Sequence, residues 1–385
     1  MDLELSWILL GLPVAFVLGW LASRLDLRQL RIENRQAPKA YFKGLNHLLN
    51  EQQDQAIDAF IEAVQSDPDT SELHFALGNL FRRRGEYERA VRVHEHLLSR
   101  ADLAQGDRQR AQHALALDFL KAGLLDRAED ALRKLEGTPF EAEAGLALLA
   151  IYERSRDWPR ADEIAGKLEQ AGQGSFAGRR AHYLCEQAAA LQQQAQTAQA
   201  QALLEQAIAI APQAPRPLIE LAALQHAAGQ DALACKTLET LAARLPGALP
   251  LAARQLATLA ATAGRADQAL AVLRSGYAEM ASLDLLDAIV ALESRTDPAD
   301  GPARDAYLRH LEREPSLVAA TQWLAGERLQ REQFHPQVQR ALERAVKPLK
   351  RYRCAACGFE ATQYFWQCPG CQSWDSFPAR RVEEL

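Results

Sequence analysis

Residues 41–68 read YFKGLNHLLNEQQDQAIDAFIEAVQSDP, and the spacing inside this stretch recurs along the chain. Gly44 stands twelve residues before Ala56; Phe60 follows that alanine by four, Ala63 by seven and Pro68 by twelve. Small residues return at Ala90, Ala128, Ala161, Ala200, Ala234 and Ala269, at successive intervals of 34, 38, 33, 39, 34 and 35 residues. Leu77, Gly78, Phe81 and Leu97 surround Ala90, with Arg84 to Tyr87 (RGEY) as a turn; Leu218, Leu221, Ala222, Leu238, Leu241 and Pro246 surround Ala234. Gly123, Gly229 and Gly264 hold the turn in three further units. A period of this length marks a repeat architecture built from one small supersecondary unit. Small residues let two helices of a hairpin approach, larger apolar residues fill the groove between them, and proline stops the second helix. A lone hairpin cannot bury its apolar face, so stacked neighbours must supply the core.

The pattern resembles the tetratricopeptide repeat and predicts an all-α solenoid of about seven units over residues 37–280, a right-handed superhelix with a concave face. Another kind of α-solenoid remains open and would offer the same use, an extended surface for peptides and proteins. The fourth and seventh units fit loosely, as does an insertion near residues 170–180. The Gln/Ala-rich stretch from Gln187 to Gln206 carries Leu191, Ala200, Leu204 and Ala207 in register, which predicts helix rather than low-complexity coil. Beyond Met280 the period fades. Leu283 to Ser294, Ala303 to Glu314 and Leu317 to Arg331 read as further helices, and residues 281–346 as a C-terminal cap of the solenoid.

Composition agrees with helix. Aromatic residues are only 7% of the 385, while 48% of the chain is AVILMFWYC, enough for a sizeable interior. A formal charge of −6 gives no global attraction to nucleic acid.

From Leu5 to Ala22 the chain reads LSWILLGLPVAFVLGWLA, without a charge. At about 1.5 Å per residue a helix here spans roughly 27 Å, enough for a bilayer core. Trp7 and Trp20 lie near its ends, where amphipathic rings prefer the interface, and Pro13 is tolerable within a membrane helix. Asp2 and Glu4 precede the run, and Arg24, Arg28, Arg31 and Arg35 follow it. The positive-inside bias then puts everything after residue 24 in the cytoplasm. The expected layout is an anchor with a short outer stub over 1–24 and a basic juxtamembrane linker over 25–36. A cleaved signal peptide, which would want a basic start, and a buried core helix are the alternatives.

Residues 352–385 read YRCAACGFEATQYFWQCPGCQSWDSFPARRVEEL. Cys354, Cys357, Cys368 and Cys371 form C-x2-C-x10-C-x2-C. Each C-x2-C is a tight turn that offers two thiolates to one side of an ion, and two such turns complete a tetrahedral four-sulfur site for one Fe or Zn. Gly358 suits the left-handed backbone that ends such a turn, and Pro369 and Gly370 shape the second. Seven aromatics crowd this stretch (Tyr352, Phe359, Tyr364, Phe365, Trp366, Trp374 and Phe377), yet residues 347–385 are too few to close a core without metal. Two disulfides are the alternative, disfavoured in a cytoplasmic segment.

The knuckles resemble those of rubredoxins and zinc ribbons, with two departures. Gln372 follows Cys371 where glycine is usual, and the ten-residue spacer is short. Both favour a structural over an electron-transfer site. Other polar residues read as uncommitted. Cys185 and Cys235 sit on apolar helical faces as small hydrophobes; His94 and His96, two apart, cannot share a helix face. Glu383 and Glu384 read as a solvated tail, and Lys347, Lys350, Arg351 and Arg353 as a solvated basic linker. No nucleophile elbow, phosphate loop or zinc-protease motif is present in the sequence, and no catalytic residue is assigned.

Anchor, Tyr41 to Val64 and the CAACGF…CPGCQSWDSF ending together resemble the lipopolysaccharide assembly protein B family of Gram-negative bacteria, over essentially the full length. The resemblance implies a single-pass inner-membrane protein, its N-terminus periplasmic and its bulk cytoplasmic, that is not an enzyme. It would act with the membrane protease FtsH to promote proteolysis of LpxC, the deacetylase that commits precursor to lipid A. A membrane regulator of lipopolysaccharide synthesis would restrain it, and a homodimer is allowed. Two readings of other classes stay open: a rubredoxin-like redox carrier, and a ribbon that binds nucleic acid.

Overall fold

A computed structural model describes residues 16–17, 19–20, 41–67, 69–296, 301–325 and 335–385. Most of the anchor segment 1–24 and all of the linker 25–36 lie outside these; residues 16, 17, 19 and 20 are helical. Among the described residues no helix is long and apolar enough to cross a membrane.

The chain divides after Ser155 into two compact units. The first holds α1 (41–49), α2 (Gln53–Ser66), α3 (Ser71–Arg84), α4 (Tyr87–Ser99), α5 (Gln105–Ala122), α6 (Leu125–Arg133) and α7 (Glu141–Ser155). The second continues with α8 (Trp158–Gln170), α9 (Ala177–Gln193), α10 (Thr197–Ile210), α11 (Arg216–Ala227), α12 (Asp231–Arg244), α13 (Leu249–Thr262) and α14 (Ala266–Glu279). It then adds α15 (Leu283–Thr296), α16 (Gly301–Arg313), α17 (Leu317–Ala325) and α18 (His335–Val346). The Gln/Ala-rich stretch is helical as expected, within α9 and α10. The predicted extension of α17 to Arg331 falls outside the described residues, and α18 was not foreseen.

The repeat arithmetic has a direct physical counterpart. All seven period-marking alanines are at most 1% exposed. A methyl group is the largest side chain those positions accept without spreading the helices. The glycines twelve residues before Ala56 and Ala90 obey the same constraint: a Cβ on Gly44 would lie 2.9 Å from the Phe60 ring, and one on Gly78 2.5 Å from His94 Nε2. In the turn after α3, Gly85 takes φ +85° while Glu86 N donates to Phe81 O at 2.9 Å, closing the helix end. At the corresponding turns Glu51, Arg156 and Ala195 hold positive φ without being glycine, which costs about 1 kcal/mol each. Those turns carry no glycine signal.

Polar groups are also buried in the solenoid. His94 and Asp118 are wholly buried; His94 Nδ1 lies 2.5 Å from Asp118 Oδ2, and Arg82 Nη1 donates to Asp118 Oδ1 at 2.9 Å. His96 is elsewhere, its ring 5.6 Å from that of His74, so the two histidines do not converge. Cys185 and Cys235 are fully buried, and burial raises both thiols, as suits inert packing groups.

Candidate metal centre

The site is built from two short turns that repeat one backbone pattern. β1 (Tyr352–Arg353) pairs antiparallel with β2 (Glu360–Ala361), with Tyr352 opposite Ala361 and Arg353 opposite Glu360. The first knuckle is the tip of this hairpin. Cys354 N donates to Phe359 O at 2.9 Å, Gly358 N donates to Cys354 O at 2.9 Å, and Gly358 has φ +78°. In the second knuckle Cys368 N donates to Ser373 O at 2.9 Å and Gln372 N to Cys368 O at 2.8 Å, with Gln372 at φ +61°. Gln372 therefore occupies the left-handed position that Gly358 occupies in its twin. Gly370 stands where the knuckles face each other: a Cβ there would be 3.4 Å from Phe359 Cβ and 3.6 Å from Cys357 Sγ.

All four predicted cysteines converge. Cys354 and Cys371 sulfurs are 3.8 Å apart, Cys357 and Cys368 sulfurs 3.7 Å, and all four lie within 4.8 Å of one another. A tetrahedral ion with metal–sulfur bonds near 2.3 Å has edges of about 3.8 Å, so the arrangement fits one Zn or Fe. Disulfide-bonded sulfurs would be about 2 Å apart, and all four cysteines are free thiols.

The surroundings favour thiolate unevenly. Desolvation alone would raise the Cys354 thiol, but the Ser376 hydroxyl, 3.3 Å away, and the amides of Cys357 and Ala356 bring it down to about 6. The Ser373 hydroxyl and amide lower Cys371. At Cys357 the Phe359 amide favours the thiolate, yet desolvation and three neighbouring thiols push it up to about 12. Four sulfurs this close cannot all ionise without a cation among them. A divalent metal supplies that cation, and with it the cross-link this small module needs.

Residues 352–378 match the rubredoxin metal binding domain family. Over the whole length of both chains the protein is 30% identical to lipopolysaccharide assembly protein B of Escherichia coli K12. The chain belongs to the lipopolysaccharide assembly protein B family. The protein of that name from Haemophilus influenzae is 27% identical, with 97% of each chain covered. A tetratricopeptide repeat protein from Parabacteroides merdae superposes with a TM-score of 0.34 at 14% identity, covering 68% of this chain and 99% of that one. So loose a likeness carries no weight beside the repeat geometry above.

In this member of the lipopolysaccharide assembly protein B family the ribbon, itself part of the second unit, is seated on helices of that unit at two places. At one, the Trp374 ring stacks on His182 of α9, centroids 4.6 Å apart and planes 15° apart, and edges onto Trp158 of α8 and Tyr183 of α9. Asp375 Oδ2 lies 2.9 Å from His182 Nε2. At the other, Arg381 grips Asp284 of α15 while its guanidinium covers the Tyr352 ring at 4.0 Å. Between them Leu251 of α13 packs on the ribbon core of Tyr352, Cys354, Cys368 and Phe377.

Two expectations need correction. Glu383 and Glu384 are not a solvated tail. Glu384 Oε1 accepts from Leu283 N at 2.6 Å at the start of α15; Glu383 accepts from Leu317 N at 2.6 Å and from the Ser316 hydroxyl at 2.8 Å at the start of α17. Helix starts leave amides without intrahelical partners and favour negative charge, and these carboxylates answer both needs. The basic run is solvated at Lys347 and Arg353, but it is not a free linker. Arg351 and Arg353 both pair with Glu360, Lys350 O accepts from Arg381, and Leu349 packs beside Val346. Glu360 thereby offsets one of the run's four positive charges. The partners of Glu383 and Glu384 have no signal in the sequence, because they lie 66 to 101 residues away.

Proposed function

We propose that the chain is a membrane-anchored adaptor that regulates lipopolysaccharide synthesis by promoting FtsH-dependent proteolysis of LpxC. The observation that carries this reading is the full-length match to a protein named lipopolysaccharide assembly protein B. The body suits the role: stacked helix hairpins offer broad docking faces, and the metal here cross-links a small module. In this reading the chain carries out no reaction of its own. The uncharged run from Leu5 to Ala22 crosses the inner membrane once, the N-terminus is periplasmic, and the arginines after it keep the bulk on the cytoplasmic side. Phe16, Val17 and Trp20 are helical and exposed, which is consistent with that placement. Tethering confines the scaffold to the plane of the protease and raises the effective concentration of captured LpxC. A membrane regulator restrains the adaptor when lipopolysaccharide is scarce.

The test is the lifetime of LpxC after translation is blocked, in cells whose only copy of this protein lacks residues 1–24. LpxC is expected to persist although the truncated protein is folded and abundant. Normal LpxC decay would remove the tether from the account. Loss of LpxC on mixing with the purified full chain, without protease, would replace the adaptor by an enzyme.

A further inference from the structure

The contact between ribbon and solenoid has the form of a ligand in its site. His182 is 1% exposed and Tyr183 fully buried, and Trp158, 9% exposed, stacks on Tyr183 with centroids 5.7 Å apart. Against this aromatic wall the ribbon supplies two consecutive side chains. Trp374 covers the face of His182, and Asp375 is the hydrogen-bond partner of its Nε2. Among the described residues His182 Nδ1 is buried without a hydrogen-bond partner, and the imidazole's hydrogen bond is the one to Asp375. Take the ribbon away and an apolar slot remains, with one nitrogen at its base.

The segment that fills the slot is shaped by the second knuckle. Gln372 and Asp375 both have positive φ, 61° and 49°, strained for residues with a Cβ. The bonds from Cys368 N to Ser373 O and from Asp375 N to Trp366 O hold them there, and Cys368 and Cys371 are anchored in the four-sulfur cluster.

We propose that Trp158, His182 and Tyr183 form a docking slot for a peptide segment in which an aromatic residue is followed directly by a carboxylate. The ribbon's own Trp374–Asp375 fills that slot in cis, and retention of the metal decides whether it stays filled. A tethered segment is present at an effective concentration of about millimolar, so an external peptide of similar intrinsic affinity is excluded until the ribbon lets go. The inference rests on the docking-scaffold reading above and names one docking surface within it.

The experiment uses the full chain and a fluorescein-labelled peptide of residues 372–379, QSWDSFPA, followed by fluorescence anisotropy. Metal-loaded protein should bind it weakly. The double variant Trp374→Ala/Asp375→Ala, checked for unchanged metal content, should bind at least about tenfold more tightly, and adding His182→Ala should abolish the gain. No gain in the double variant, or a gain indifferent to His182→Ala, overturns the slot. Should the double variant lose its metal or fold, chelator-treated wild type takes its place under the same two criteria. Hydrogen exchange reads the metal's part: chelation should deprotect residues 177–193, and unchanged protection there overturns metal control. Because purified protein and its own peptide are used, a failure here is separate from any result on LpxC decay.

Discussion

The Arg381 guanidinium grips the Asp284 carboxylate with two hydrogen bonds, Nε to Oδ2 at 2.9 Å and Nη2 to Oδ1 at 2.7 Å, across 97 residues of chain. Both side chains are only 21% exposed, and Arg381 also donates to Lys350 O. Arg381→Ala leaves the Asp284 carboxylate half-buried without its cation and is expected to loosen the ribbon by about 3 kcal/mol. Arg381→Lys keeps the charge but not the two-pronged geometry, and should recover little of the loss. Hydrogen exchange over residues 347–385 measures both. Equal protection in all three proteins would mean the seam does not depend on this ion pair.

The twin knuckles place different residues at their left-handed position, Gly358 in one and Gln372 in the other. A Cβ on Gly358 would meet nothing within 4 Å, so Gly358→Ala should cost only the left-handed backbone penalty, about 1 kcal/mol. Gln372→Gly should act in the opposite sense and stabilise by roughly 0.5–1 kcal/mol. The half-life of bound metal under excess chelator should therefore rank Gln372→Gly above wild type above Gly358→Ala. The reverse order would show that the Gln372 side chain has a role its backbone angle hides.

Gly78→Ala tests the close helix approach. The new methyl would stand 2.5 Å from His94 Nε2 and 2.6 Å from Cε1, on a ring fixed by Asp118. Overpacking of this kind costs about 1–3 kcal/mol, and thermal unfolding should begin earlier. An unaltered melting profile would mean that α3 and α4 can spread.

Acid should destabilise the helical body through its buried histidines. Burial is the largest cause lowering His74, His113 and His310 below the usual histidine value. Since their folded values lie below their unfolded ones, the unfolded chain takes up protons first. The stability they contribute is complete above about pH 6.5 and is lost as pH falls through the folded values. Melting temperature should drop between about pH 7 and pH 5, and His74→Gln should make that drop shallower. A steeper drop in the variant would count against His74 being held neutral.

What was legible in the sequence was whatever repeats or clusters locally. The alanine register is such a signal, because each small residue answers a contact within its own hairpin. The four cysteines are another, since their spacing alone brings two pairs of sulfurs together. The seams were illegible for the converse reason. Asp375 and His182 are 193 residues apart, Glu384 and Leu283 101, and no local pattern marks one as the partner of the other. Gln372 is half-visible: the sequence shows its departure from glycine, but only the backbone reveals that it adopts glycine's conformation. His94 shows the same limit. Its spacing from His96 argues against a metal pair, while its burial depends on Asp118, 24 residues on in the next helix.

The two seats of the ribbon, one on α8 and α9 and the other on α15 and α17, also fix how long this array is allowed to be. An open solenoid gains or sheds a hairpin with little consequence, because every unit touches only its neighbours. Here a rigid brace bridges the span from α9 to α15, so an inserted or deleted hairpin would pull one end off its seat. Repeat number in this stretch is thereby set by the ruler laid across it, and length variation among related chains should fall elsewhere.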